Sequence, residues 1–202
     1  MKPTKSRRRS GRPRAFDYDR ALDRALKVFW KKGYEGTSLR DLTRAMGINR
    51  PSLYAAFGDK QALFCKVLDR YAEGPAAYLA ESLEEATARA AIEEFFRRSL
   101  NGITDPHNPR GCLLVRGALA SGDEAAAIRR ELASRRAASE AAVRARLQRA
   151  KSEGELPEDA EPAALARYVM SVSQGMSVLA AGGASRRELE QVVEIALRAW
   201  PS

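Results

Sequence analysis

The 202-residue chain is poor in the residues that most catalytic and metal chemistry needs. It has one histidine, His107, and two cysteines, Cys65 and Cys112. A structural zinc takes three or four Cys/His ligands, so neither a metal nor another cofactor is expected. The cysteines lie 47 positions apart and form neither a CxxC pair nor a secreted disulfide framework. A Ser-His-Asp relay would have to run through His107 alone, and no nucleophile–base pair is visible by spacing. The chain is therefore not expected to be an enzyme. No run approaches the roughly 18 apolar residues of a membrane span. The basic N-terminus has no apolar stretch behind it, as a signal peptide would. The expected setting is a reduced cytoplasm, with no membrane partner.

What is present is helix-forming sequence and positive charge. The chain is 45% hydrophobic, 30% charged and 7% aromatic, a globular composition of a length that fits one domain or two small ones. The formal net charge of +9 is gathered at one end. Residues 1–14 carry seven basic groups, Arg12 and Arg14 among them, and no acid. Residues 15–75 carry 11 basic and 8 acidic groups, and residues 76–202 carry 17 and 18. A basic arm on a mildly basic module suits a polyanion partner and leaves a different task to the near-neutral remainder. A solubilising tail would give the same arm.

The periodicity is helical throughout, and the expected fold class is all-α. Helices are expected at about 17–32, 38–45, Asn49 to Phe57, 59–72, 76–103, 108–121, 123–153, 161–182 and 185–199. Ser38 with Asp41 three residues on resembles a capping box. Met46-Gly47-Ile48 is a tight turn, Asn49 can cap the next helix, and Pro51 is tolerated in its first turn. Two short helices joined in this way make a helix-turn-helix candidate. Its first helix would cross the phosphates and its second would enter the major groove. Arg50 can reach a guanine edge with two hydrogen bonds, about 1–3 kcal/mol of discrimination, and small residues at Ser52, Ala55 and Ala56 permit close approach. An ordinary helical hairpin in a bundle would also fit the pattern.

The run Gly33-Tyr34-Glu35-Gly36-Thr37-Ser38-Leu39-Arg40-Asp41-Leu42, then Met46 to Leu63 with its Leu-Tyr-x-x-Phe-x-x-Lys element, resembles the DNA-binding region of TetR/AcrR-type transcriptional regulators. The resemblance covers about residues 15–75. It implies an N-terminal three-helix DNA-binding domain over 15–75, behind the basic arm 1–14, and a helical ligand-binding and dimerisation domain over 76–202. Carried over by position, it implies that Ser38 lies near phosphate and Arg40 at the groove edge. Arg50, Pro51 and Ser52 would face bases, while Tyr54 and Lys60 would hold phosphates. Ala56 stands where many relatives have His, which removes a polar contact. Gly11-Arg12-Pro13-Arg14 resembles the core of minor-groove arms, so Arg12 and Arg14 would read A·T edges, or equally bind phosphate without sequence choice.

The resemblance further implies a homodimer on double-stranded operator DNA, released by a small-molecule inducer. The last two amphipathic helices suit a four-helix dimer interface. The pocket is expected between Phe95, Phe96, Leu100, Leu113, Met170 and Gln174. Phe96, Leu100, Cys112, Tyr168, Met170 and Gln174 are the candidate inducer contacts, Tyr168 and Gln174 because each brings a polar group to an apolar face. Cys112 is expected in the first turn of a helix, where Arg110 or Arg116 would favour its thiolate; an oxidant- or electrophile-sensing repressor is thus an alternative. A buried packing role for the thiol is the other. A non-specific DNA-compacting protein using the same arm is a further alternative.

Overall fold

The computed structural model describes residues 16–116 and 126–201. The arm with Arg12 and Arg14, and the stretch 117–125, lie outside the described residues. Within them the chain is helical: α1 (Tyr18–Lys32), α2 (Leu39–Met46), α3 (Arg50–Phe57), α4 (Lys60–Glu73), α5 (Tyr78–Ser82), α6 (Ala88–Thr104), α7 (Leu113–Arg116), α8 (Ala126–Ser152), α9 (Pro162–Ala181) and α10 (Arg186–Arg198). No strand occurs among the described residues, which bears out the all-α expectation.

The helix starts follow local chemistry. Asp17, Asn49, Asp59 and Thr87 each accept a hydrogen bond from a first-turn amide, which satisfies one of the orphan donors of a helix start. In α1, Ala21, Leu22, Ala25, Leu26, Phe29 and Trp30 are buried at 3–4 spacing. The helix stops at Gly33, where φ is +73°. Two expected boundaries differ. The single helix over 76–103 is two, α5 and α6, because the chain between them finds other partners. Arg146 donates from Nη2 to the carbonyls of Glu85 (3.3 Å) and Ala86 (3.4 Å), and the Glu155 carboxylate accepts the Ala88 N–H. The helix expected from 108 starts only at Leu113, because Gly111 takes φ +84°.

The buried side chains form two clusters. One is built on α1–α4 and takes in Leu113, Ile128 and Leu132. The other is built on α6, α8, α9 and α10, with α5 packed on α6. They meet at Gly111. Its carbonyl accepts the buried Trp30 Nε1–H at 2.8 Å. A Cβ at this position would lie 2.8 Å from the Ser177 carbonyl oxygen and 3.2 Å from the Ala181 Cβ, both on α9. Only glycine satisfies both the positive φ and the close approach.

Gly111→Ala is expected to cost about 1–3 kcal/mol of stability for the conformation alone, and more for the contact with α9. Gly154→Ala is the control, since Gly154 has φ +78° with nothing within 4 Å of a built Cβ. Urea denaturation of both should show the larger loss at 111; equal losses would mean that the approach to α9 carries no weight.

Candidate DNA-binding surface and ligand cavity

Ser38 and Asp41 form the expected capping box. The Ser38 hydroxyl accepts the Asp41 N–H at 3.1 Å, and the Asp41 carboxylate accepts the Ser38 N–H at 3.1 Å. The Lys32 ammonium lies 2.8 Å from the other carboxylate oxygen and so ties the end of α1 to the start of α2. Lys32, followed by the Ser38 amide and hydroxyl, holds the Asp41 carboxyl well below the usual carboxylate range. Arg24, Lys27, Lys31, Lys32 and Arg44 border the groove between α1 and α2, with Asp41 as its one acid among the described residues.

Gly47 closes α2 in the left-handed conformation, φ +71° and ψ +31°, and its N–H donates to the Thr43 carbonyl at 3.0 Å. Asn49 then caps α3 through the Ser52 N–H at 2.8 Å. Helix α3 stands on the first cluster through Leu53 and Phe57, which are 0% and 1% exposed. The Phe57 ring stacks on Tyr18 at 4.5 Å. The other face looks outward: Arg50 and Pro51 are exposed, Ser52 is half-buried and Tyr54 is 49% exposed. Ser38 and Arg40 are exposed on α2. Lys60 opens α4, its ammonium 4.3 Å above the Tyr34 ring. Seven of the nine expected DNA contacts thus fall on α2, α3 and the start of α4, and the other two, Arg12 and Arg14, lie outside the described residues.

A cavity of about 240 Å³ lies between the two clusters. Tyr71 of α4, Tyr78 of α5, Phe95 of α6, Cys112, and Met170 and Gln174 of α9 are among its walls. The Tyr71 hydroxyl donates to the Cys112 sulfur at 3.4 Å. Burial, and next the neighbouring Cys112, holds the Tyr71 hydroxyl protonated far above its ordinary range; the same causes push Tyr78 up to about 12.

Three of the six expected ligand residues, Cys112, Met170 and Gln174, line this cavity. Phe96 and Leu100 do not: they sit at i and i+4 on the face of α6 buried in the second cluster, and Phe95, one residue earlier, faces the cavity. Tyr168 spends its hydroxyl on the Ala196 carbonyl at 3.4 Å. The expected charge partners of Cys112 are also elsewhere. Arg110 donates to the Ala184 carbonyl at 2.7 Å, and Arg116 to the Trp30 carbonyl at 3.2 Å. His107 is an exposed loop residue whose N–H bonds Asp105 at 2.8 Å. Sequence reasoning missed Tyr71, Tyr78 and Arg136. The first carried a signal, a phenol on the apolar face of α4 three residues after Leu68. Among the described residues no cluster could hold a metal ion, and no helix is long and apolar enough to cross a membrane.

A helix-turn-helix whose second helix faces outward, joined to a C-terminal set of helices by way of a partly open cavity, defines the class of DNA-binding transcriptional regulators. The chain belongs to the TetR family of bacterial regulatory proteins. The family's N-terminal model matches residues 21–67, and a tetracyclin repressor-like C-terminal model matches 88–196. The HTH-type transcriptional repressor ComR of Escherichia coli K12 is 38% identical over 193 residues, 95% of this chain and 92% of ComR. The uncharacterized HTH-type transcriptional regulator YezE of Bacillus subtilis 168 is 34% identical over 93% of this chain and 97% of its own. Among solved structures, a cysteine mutant of the TetR family regulator CifR, complexed with 26-bp operator DNA, matches with TM-score 0.91 and 43% identity. That match covers 94% of this chain and all of CifR.

Asp41 supplies a pH-dependent test of the α1–α2 joint. Its folded pKa is depressed, so its contribution to stability is present above the unfolded carboxylate value of about 3.9 and is lost as pH falls through the folded value. Wild type should therefore melt higher than Asp41→Asn at neutral pH, and the two melting temperatures should converge in acid. A gap that persists unchanged in strong acid would contradict this role.

Proposed function

We propose that this protein is a cytoplasmic, ligand-responsive transcriptional repressor that binds a palindromic operator as a homodimer. The observation that carries the reading is α3. Two buried side chains fix it, and Arg50, Pro51, Ser52 and Tyr54 face outward on its far side. In this reading residues 15–75 are the DNA-binding domain and 76–202 bind inducer and form the dimer. Arg50, Pro51 and Ser52 meet base edges, Arg40 the groove edge, and Ser38, Tyr54 and Lys60 phosphates. The arm, with Arg12 and Arg14, adds counterion release or minor-groove contact. The repressor name of ComR and the operator complex of CifR support the same reading.

The dimer reading rests on α9 and α10. Val178 and Leu179 are each 50% exposed and Ile195 is 61% exposed, an apolar face that a two-fold partner would cover. An inducer in the cavity would touch Tyr71 and Cys112. Tyr71 packs edge-on against Trp30 at 4.9 Å, so such a ligand acts directly on α1 and α4 and resets the spacing of the two recognition helices.

A second reading is favoured by one observation: Cys112 lines the cavity and holds the Tyr71 hydroxyl. There the signal is a covalent change at the thiol. Cys112→Ser separates the two readings, because it spares the response to a non-covalent inducer and abolishes the response to an alkylating agent.

Selection of DNA from a random pool at about physiological salt tests the main reading. Wild type should recover an inverted repeat, and Arg50→Ala should relax one position per half-site at a cost of about 1–3 kcal/mol. Equal, unenriched binding by both would favour a non-specific DNA-compacting protein. Ile195→Asp should yield a monomer by sedimentation and lose operator affinity; a dimer of unchanged affinity would overturn the assignment of this face.

A further inference from the structure

We propose that the cavity selects a small apolar monoanion, a compact aromatic or branched carboxylate, whose charged end pairs with Arg136. The inference rests on the cavity being the inducer site.

Size comes first. An engineered cavity of about 150 Å³ holds benzene, so about 240 Å³ accepts one larger body of roughly two fused rings. Leu68, Phe95 and Met170 supply apolar contact for such a body, and the Tyr71 and Tyr78 rings supply flat faces.

Charge decides the class. Among the described residues no aspartate or glutamate lines the cavity, but two arginines of α8 do. Arg135 is already neutralised, with Asp69 and Glu131 each at 2.7 Å. Arg136 is not: it is half-buried, its Nη1 donates to the Leu114 carbonyl at 2.9 Å, and no carboxylate pairs with it among the described residues. A guanidinium at the wall of an apolar space lacks water on one side and presents a planar fork that fits a carboxylate. A cationic ligand would meet this charge with no acid to offset it. A neutral ligand would leave the guanidinium without a counter-charge.

The neutral polar atoms agree. Tyr71 and Tyr78 keep their protons at any physiological pH and so add no negative charge to the walls, the Tyr71 O–H being held by the Cys112 sulfur. The ligand that matches these walls carries acceptors at one end and hydrocarbon at the other. Arg136 also holds the Leu114 carbonyl, two residues beyond Cys112, so pairing with a ligand acts on the segment against which Trp30 is anchored.

The test uses three probes of equal body and different charge: naphthoate, naphthol and naphthylmethylamine. Each is titrated calorimetrically into the full-length protein, and each is assayed for displacement of a selected operator. Naphthoate should bind about tenfold or more tighter than naphthol, as a charge-assisted hydrogen-bond pair provides, and the amine should not bind. Arg136→Gln should bring naphthoate down to the level of naphthol measured with the same variant, and a helical circular-dichroism spectrum with a cooperative melt shows that the variant is folded. Arg136→Lys should keep part of the preference. Naphthol that binds wild type as tightly as naphthoate, or naphthoate binding unchanged in Arg136→Gln, overturns the proposal. Naphthoate that binds through Arg136 but leaves operator affinity unaltered supports the ligand class and overturns the inducer reading. If no probe binds while operator binding is intact, the proposal falls and the DNA-binding reading stands.

Discussion

The hydrogen bond from Trp30 Nε1 to the Gly111 carbonyl is a buried joint between the two halves of the molecule, beside the packing of Leu113, Ile128 and Leu132 on α1–α4 and the Arg135–Asp69 ion pair. It is buried, so neither partner can fall back on water, and loss of the indole would leave a carbonyl unsatisfied at a cost of about 1–3 kcal/mol. The bond is possible only because Gly111 lies against the α9 backbone with no side chain of its own. The indole is fixed in turn by Tyr71, and the Arg116 guanidinium bonds the carbonyls of Trp30 and Lys31 at the C-terminal end of α1. Three elements that carry different tasks are thereby held by one tryptophan: α1, which supports the recognition helix, α4, and the segment 111–116 that walls the cavity.

This arrangement gives physical content to coupling between cavity and DNA-binding surface. Tyr71 has one edge against Trp30 and its hydroxyl on Cys112, so nothing can fill the cavity at Cys112 without meeting a side chain that also contacts α1. At the other end, α1 is tied to α2 by Lys32 and Asp41, and Asp41 caps the helix that precedes the Gly47 turn. The chain of contacts from the cavity to α2 is short and made of buried rings, one buried hydrogen bond and one ion pair. Of these the ion pair is the most exposed, and salt weakens it first.

The part of this design that rests on local chemistry is readable from sequence. Ser38, Asp41, Gly47 and Asn49 act within three or four residues of themselves, so caps and turns follow from spacing alone, and the helix-turn-helix with them. The long-range part is not readable in this way. Nothing near Gly111 announces that α9 passes within contact of it, and the choice of Phe95 over Phe96 for the cavity depends on how α6 is rotated against α9. Arg135 has a local partner at i−4, Glu131, but Arg136 has Glu140 at i+4, so spacing alone does not tell which is neutralised. Asp69, 66 positions from Arg135, and Arg167, which takes Glu140, decide it. The break between α5 and α6 is local only in part: Thr87 caps α6, while Arg146 and Glu155, distant side chains, supply backbone partners that a continuous helix would have found locally.

The central claim is that the DNA-binding surface and the cavity share one joint, and linkage makes it measurable from either side. The most direct measurement is the alkylation rate of Cys112 by iodoacetamide, in protein carrying Cys65→Ser, with and without saturating operator DNA. If the joint couples the two sites, operator should slow alkylation about fivefold or more, and an equal amount of non-operator DNA should have little effect. Equal rates in the presence and absence of operator would show that Trp30, Tyr71 and Gly111 hold the halves together without transmitting anything between them.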